Sequence, residues 1–184
     1  MKQLLLLSLL LLFTGCATKK FYTLGEELNI KPQTTYTQAI NVVTVSIPKY
    51  LEEHKIVRQV SPYQIELLDK TYWLVPMEQK LTKILIEYLE QSMNNPNVHL
   101  YPWAGSHKSS TKVALHIKHF IASSKEVRLK ANYKISHTDK RKEEVQYFET
   151  KIKSGKEVEA MMIAMEKAYL ELLAQISATL IKNK

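Results

Sequence analysis

The apolar and polar residues of this chain change period several times, and the changes mark its elements. Leu4 through Phe13 form an apolar run behind Lys2 and ahead of the small residues Thr14 and Gly15, which precede Cys16. The run is too short to cross a hydrocarbon core of about 30 Å, which takes ~20 residues of helix. It therefore reads as a secretory signal. The stretch "FYTL" (21–24) predicts a first strand, and the polar residues 26–38 a loop. A nearly continuous β-branched run, "INVVTVSI" (40–47), predicts a strand centrally placed or covered on both faces, ended by Pro48. "KIVRQV" (55–60) and "YQIELL" (63–68), separated by Ser61 and Pro62, predict a hairpin.

The period then lengthens. Met77, Leu81, Ile84, Leu85, Tyr88, Leu89 and Met93 recur at intervals of three and four, which predicts an amphipathic helix. Pro76 suits its first turn, and Asn94-Asn95-Pro96 stops it. "NVHLYPW" (97–103) predicts a short strand. In "KVALHIK" (112–118) and "EVRLKANYKIS" (126–136) a strict period of two returns, with one face buried and one solvated. "VQYFETKI" (145–152) alternates poorly, and its register stays open. Ser154 and Glu157 have the spacing of a capping box ahead of a last helix. Val158, Met161, Met162, Met165, Tyr169, Leu172, Leu173, Ile176 and Leu180 form that helix's buried stripe. These elements predict an α+β fold: a mixed, largely antiparallel sheet with two long amphipathic helices packed on one face.

Composition narrows the setting. Cys16 is the only cysteine of the 184 residues, so it has no disulfide partner in the chain. A cysteine directly after small residues at the end of an apolar run resembles the lipobox of bacterial lipoproteins. That resemblance implies diacylation of the Cys16 thiol, cleavage ahead of it and acylation of the new amine. Residues 1–15 are then the signal peptide, 16–20 the lipidated N-terminus and tether, and 21–184 one periplasmic α+β domain. Several acyl chains on one residue make a stable anchor where a single chain does not. The signal holds one lysine and no acid, so the formal charge of +8 falls to +7 in the mature chain. Such a surface suits anionic lipid headgroups or an acidic protein face. An exported, anchored chain has little occasion to meet nucleic acid.

Chemistry is sparse. His116 and His119 stand three apart, which on a regular strand places them on opposite faces and argues against a shared metal. No Gly-x-Ser-x-Gly, Ser-x-x-Lys or glycine-rich phosphate loop occurs. Glu52/Glu53 and Glu143/Glu144 lie in charged stretches where nothing separates their pKa values. The expectation is a non-enzyme with no cofactor and no metal. Met161, Met162 and Met165 suit either core or an adaptable groove. Lys118, Arg128, Lys130 and Lys134 form a basic strand face that suits either anionic contact or plain solvation.

The order of motifs is more telling than any one of them. The lipobox cysteine is followed by "FYTL", "VVTVSIPKYLEEHKIVRQV", "YWLVPMEQKLTKILIEYL" and "VEAMMIAMEKAYLELLAQISATL". This series resembles the ABC-type transport auxiliary lipoproteins, the PqiC/YmbA-like family. Pro48, Tyr50, Leu51, Ile56, Val57, Arg58, Trp73 and Pro76 fit the family pattern, with Met77 in place of its usual leucine. The resemblance implies a lipid-anchored periplasmic accessory of a phospholipid transport system. Its ABC transporter works with MCE-domain proteins that bridge the inner and outer membranes. It also implies docking to an MCE-domain protein, for which Tyr50, Arg58, Trp73 and Pro76 are the candidate residues, packing being the equal alternative. Ala17 stands where an Asp would favour inner-membrane retention in enteric bacteria, which points to the outer membrane. Self-association is left open. Two rivals stand beside this reading: an assembly lipoprotein of another envelope machine (a lipopolysaccharide translocon, secretion or motility complex), and an envelope hydrolase.

Overall fold

The structure, a computed structural model, describes residues 18–25, 28–102, 110–138 and 142–182. Its spine is three long strands: β6 (Ser110–Ser123), β7 (Glu126–His137) and β8 (Lys142–Lys153), paired antiparallel in sequence order. Their alternation explains the arrangement. Val127, Leu129, Ala131, Tyr133 and Ile135 point to one side of β7 and are buried, while Arg128, Lys130, Asn132 and Lys134 point to the other. A strand of this period must bury one face, and two helices supply the cover.

The far edge of β6 is shared. β2 (Ala39–Val42) pairs with its first residues in parallel, and β3 (Lys55–Ser61) with its last. β2 carries β5 (Val98–Leu100) on its outer side, also parallel. β3 turns back antiparallel into β4 (Gln64–Trp73), and β1 (Lys20–Tyr22) closes that branch in parallel with β4. The sheet is mixed and mostly antiparallel, and the fold is α+β as expected.

Helix α1 (Met77–Ser92) lies against β2 and β5, and α2 (Val158–Lys182) against β6, β7 and β8. Leu81, Leu85 and Leu89 of α1 and Met161, Met165, Tyr169, Leu172 and Ile176 of α2 are buried in one core. The Tyr169 ring stacks on Phe120 with centroids 6.2 Å apart. Its hydroxyl donates to the Leu81 carbonyl at 2.8 Å, which ties the two helices inside the core. Burial holds that phenol well above its usual pKa, so it stays a neutral donor.

Three expectations need correction. The run 40–47 is not one strand, since regular pairing stops at Val42. The chain still follows β6 beyond that point: Val43 N–H donates to Val113 O and Ser46 N–H to Leu115 O. Between them the Val45 N–H turns away and donates to Thr82 Oγ1 on α1, 2.9 Å off. A helix side chain has taken over one rung of the ladder. Second, Ser154 does not cap the last helix. Its hydroxyl is engaged with Gly155 O at 3.3 Å, and the first helical bond runs from Met161 N–H to Glu157 O. Third, β8 pairs with β7 from Lys142 to Lys153, which settles the open register. Phe148 and Ile152 face the helices, whereas Val145, Tyr147 and Glu149 face away. An edge strand is covered on neither side completely, so its alternation is weak in the sequence.

Two substitutions separate packing from hydrogen bonding in this core. Leu85→Ala is expected to cost about 2–5 kcal/mol through lost burial and cavity formation. Tyr169→Phe, which keeps the ring and loses one bond, should cost only about 1 kcal/mol. Denaturant unfolding of both variants checks the order.

Candidate docking surfaces and the gap beside β6

Of the residues expected to dock a partner, Tyr50 lies where the sheet divides. Between Ser46 and the first β3 pairing at Ala122, the edge of β6 has no strand beside it. The Phe120 N–H points into this gap and donates to the Tyr50 hydroxyl at 2.8 Å. Tyr50 belongs to a short 3-10 turn, Lys49–Leu51, started by Pro48 and laid across the sheet. It supplies the acceptor that a missing strand would have given. Burial pushes the Tyr50 phenol up from its ordinary pKa, and the Phe120 bond opposes this in part.

The other three residues of the set also have structural partners. Trp73 is buried at 6% exposure, with its indole N–H unpartnered. Arg58 forms an ion pair with Glu66 across the hairpin, its Nε donating at 2.8 Å. Pro76 precedes the first turn of α1 as its N-cap. The structure brings Tyr50 to the gap, Arg58 to the hairpin and Trp73 with Pro76 to the start of α1. It does not gather them on one patch.

A bulge overturns the histidine argument. Ile117 lies opposite Ala131 and His119 opposite Lys130, so Lys118 is an extra residue in β6. The shift puts His116 and His119 on the same open face, opposite Asn132 and Lys130. His116 Nδ1 lies 3.0 Å from Ser46 Oγ, and His119 sits edge-on to Tyr50 at 6.4 Å between centroids. Among the described residues no group of three His, Cys, Asp or Glu is placed to hold a metal ion.

The basic face is interleaved with acids. Arg128 pairs with Glu126 at 2.9 Å, Lys130 with Glu149 at 3.1 Å and Lys134 with Glu143 at 3.0 Å. Lys118 is exposed on the bulge. The Lys134 hydrogen bond holds Glu143 below the usual carboxylate range. The Tyr147 hydroxyl and then Lys130 do the same for Glu149. Surface pairs of this kind contribute little to stability. Their effect is to cancel most of the charge expected of this face.

Of the three methionines that suited core or groove, Met161 and Met165 are core, while Met162 lines a groove on the other side. It is a cavity of about 740 Å³ between β1 and the outer face of α2, floored by Tyr22, Met162, Ile163, Leu170 and Ala174. Glu159, Glu166, Lys167 and Glu171 rim it. The chain after β1 fixes its shape. Gly25 adopts φ +61°, and a Cβ there would come within 2.7 Å of the Ile84 side chain. Its N–H donates to Glu166 Oε2 at 2.7 Å, so the segment wedges between the two helices. Besides Met162, the sequence signal was Ile163, an exposed isoleucine off the buried stripe.

The described residues thus form a mixed sheet with two helices on one face, a short edge strand β1 and an open apolar groove beside it. A family model, ABC-type transport auxiliary lipoprotein component, matches residues 22–177, and the chain belongs to that family. Two solved structures share the fold. One is an uncharacterized protein, 17% identical, with a TM-score of 0.72 over 89% of this chain and 99% of its own. The other is protein XCC0632 from Xanthomonas campestris, 18% identical, with a TM-score of 0.71 over 91% and 97%. No curated protein matches the chain significantly. Cys16 lies outside the described residues.

The neighbourhood of His119 makes stability depend on pH. Desolvation lowers its pKa from 6.5, the Arg128 and Lys130 charges lower it further, and Glu149 opposes them. The unfolded chain therefore takes the proton first. The contribution is complete above pH 6.5 and is lost as the pH falls below that value. Denaturant midpoints measured from pH 7 to pH 5 should fall, and His119→Gln should flatten part of that fall.

Proposed function

We propose that this chain is the lipid-anchored periplasmic accessory of an MCE-type ABC phospholipid transport system, and that it acts by docking. The observation that carries the reading is the family match from Tyr22 to Ser177, which spans nearly all of the chain after the lipobox. In this reading acylated Cys16 holds the domain at the outer membrane, and an MCE-domain protein is the partner. The groove between β1 and α2 supports a docking role, since an apolar floor with a charged rim suits an amphipathic segment. Tyr50 and Trp73 serve docking indirectly, by holding the gap and the α1 start in shape. The open sheet face, with Lys118 exposed on it, is a secondary site for anionic groups.

Co-purification from solubilised membranes tests the partner. An MCE-domain protein should come down with the wild-type chain, and Ile163→Glu on the groove floor should reduce its yield severalfold. Recovery of an outer-membrane β-barrel protein alone would favour the rival assembly role and contradict this one.

A further inference from the structure

The β3–β4 hairpin reaches past the cover of both helices, and beside polar Gln64 and Asp69 it exposes several large apolar residues. Tyr63 in the turn is fully exposed, and Val60, Ile65 and Leu67 are each about half exposed. The register groups them. Val57 pairs with Leu67 and Gln59 with Ile65, so Ile65 and Leu67 share the face opposite the helices. Further along that face Tyr72 lies opposite Lys55, and Phe21 of β1 lies opposite Tyr72 with centroids 5.6 Å apart. Phe21 is 58% exposed, and Lys19 Nζ sits over the Tyr72 ring at 5.7 Å. The result is a stripe of Tyr63, Ile65, Leu67, Tyr72 and Phe21. Lys19 and Lys55 flank it, Lys55 near Asp69 at 3.9 Å.

Direction decides what covers this stripe. β1 runs parallel to β4, with Lys20 beside Thr71 and Tyr22 beside Trp73. The chain therefore enters β1 from the direction of the hairpin turn. The chain before Lys20 thus approaches from the side of the exposed tip, while Lys20 itself stands beside Thr71, near the inner end of β4. Lys20 is four residue steps on from Cys16. At about 3.3–3.6 Å per residue, that tether holds the start of β1 within roughly 14 Å of an anchored cysteine. An apolar tip with tyrosine at its end and lysines behind is the chemistry of a membrane interface. Aromatic rings occupy the headgroup level there, and lysines meet anionic phosphates.

We infer that the β3–β4 tip, with Phe21 beside it, is a second membrane contact that seats the domain on an anionic phospholipid surface in a fixed orientation. The inference rests on the proposed acylation of Cys16, because the tether brings the tip to the bilayer. A protein partner on the same stripe is the competing occupant.

The full mature lipoprotein, reconstituted in vesicles of phosphatidylethanolamine and phosphatidylglycerol, provides the test. Tyr63→Cys is labelled with an environment-sensitive fluorophore, and Val145→Cys on the open face of β8 is the comparison. Spin-labelled phospholipid should quench the probe at 63 at least threefold more than the probe at 145. Ile65→Asp with Leu67→Asp should abolish the difference while the protein still floats with the vesicles. Flotation with equal quenching at both sites overturns the membrane contact and leaves the anchor standing. Failure to float, with neither probe quenched, overturns both together. A probe at 63 that lipid leaves bright and only an added envelope protein shields assigns the stripe to that protein, and the inference falls.

Discussion

Strand β6 has one edge for two neighbours, and the architecture follows from how that edge is shared. Its other side is settled, with β7 paired along it on both sides of the bulge. On the shared side β2 takes the beginning and β3 the end, which leaves backbone groups in between without a strand partner. An unpaired buried amide costs about 1–3 kcal/mol, so the gap must be filled. Ser46 fills part of it through the backbone, and the Tyr50 hydroxyl accepts the bond that Phe120 offers. The turn from Pro48 to Leu51 exists in this form because it delivers that hydroxyl.

Sharing the edge also splits the domain into unlike halves. The β2–β5 branch lies under α1, and the β6–β8 spine lies under α2. The β3–β4–β1 branch is reached by the helices only at its inner end, where Ile56 and Trp73 are buried. Beyond that point the hairpin is supported by the pairing of Arg58 and Gln59 with the end of β6, by its own ladder and by the Arg58–Glu66 bridge. Because β1 is the outer strand of the same branch, the entering chain and the α2 groove are neighbours at its inner end. Tyr22 lines the groove while Phe21, one residue earlier, points to the opposite face. A period of two thus assigns adjacent residues of one short strand to two surfaces.

Much of this was legible in the residues. The α1 and β7 patterns were clean because each element has one dry and one wet side, so periodicity alone identifies its faces. The family pattern around Pro48, Tyr50, Trp73 and Pro76 was visible as spacing. Its reason, a gap beside β6 and the start of a helix, needs tertiary pairing and cannot be read along the chain. His116 and His119 mislead for a similar cause. One extra residue at Lys118 reverses the parity that a regular strand would impose, and no local sequence feature announces it. The charge of the Arg128, Lys130 and Lys134 face was legible, but its neutralisation by Glu126, Glu143 and Glu149 was not. Two of those three acids lie on β8, whose register the sequence left open. The extent of the groove was not legible because it depends on β1 meeting α2, where the Gly25 bond to Glu166 joins positions 141 residues apart.

Location gives these surfaces their meaning. A docking domain with no anchor meets its partner by free diffusion. One tied by about four residues has a high effective concentration at a single surface and a restricted set of orientations. The groove and the hairpin tip matter for function only under that constraint, which makes acylation of Cys16 the central claim. Intact-mass and N-terminal peptide mass spectrometry of the chain extracted from membranes tests it directly. The account predicts a mature protein beginning at Cys16, with a diacylglycerol on the thiol and a further acyl chain on the amine. An unmodified Cys16, or a mature chain that begins at another residue, would contradict it.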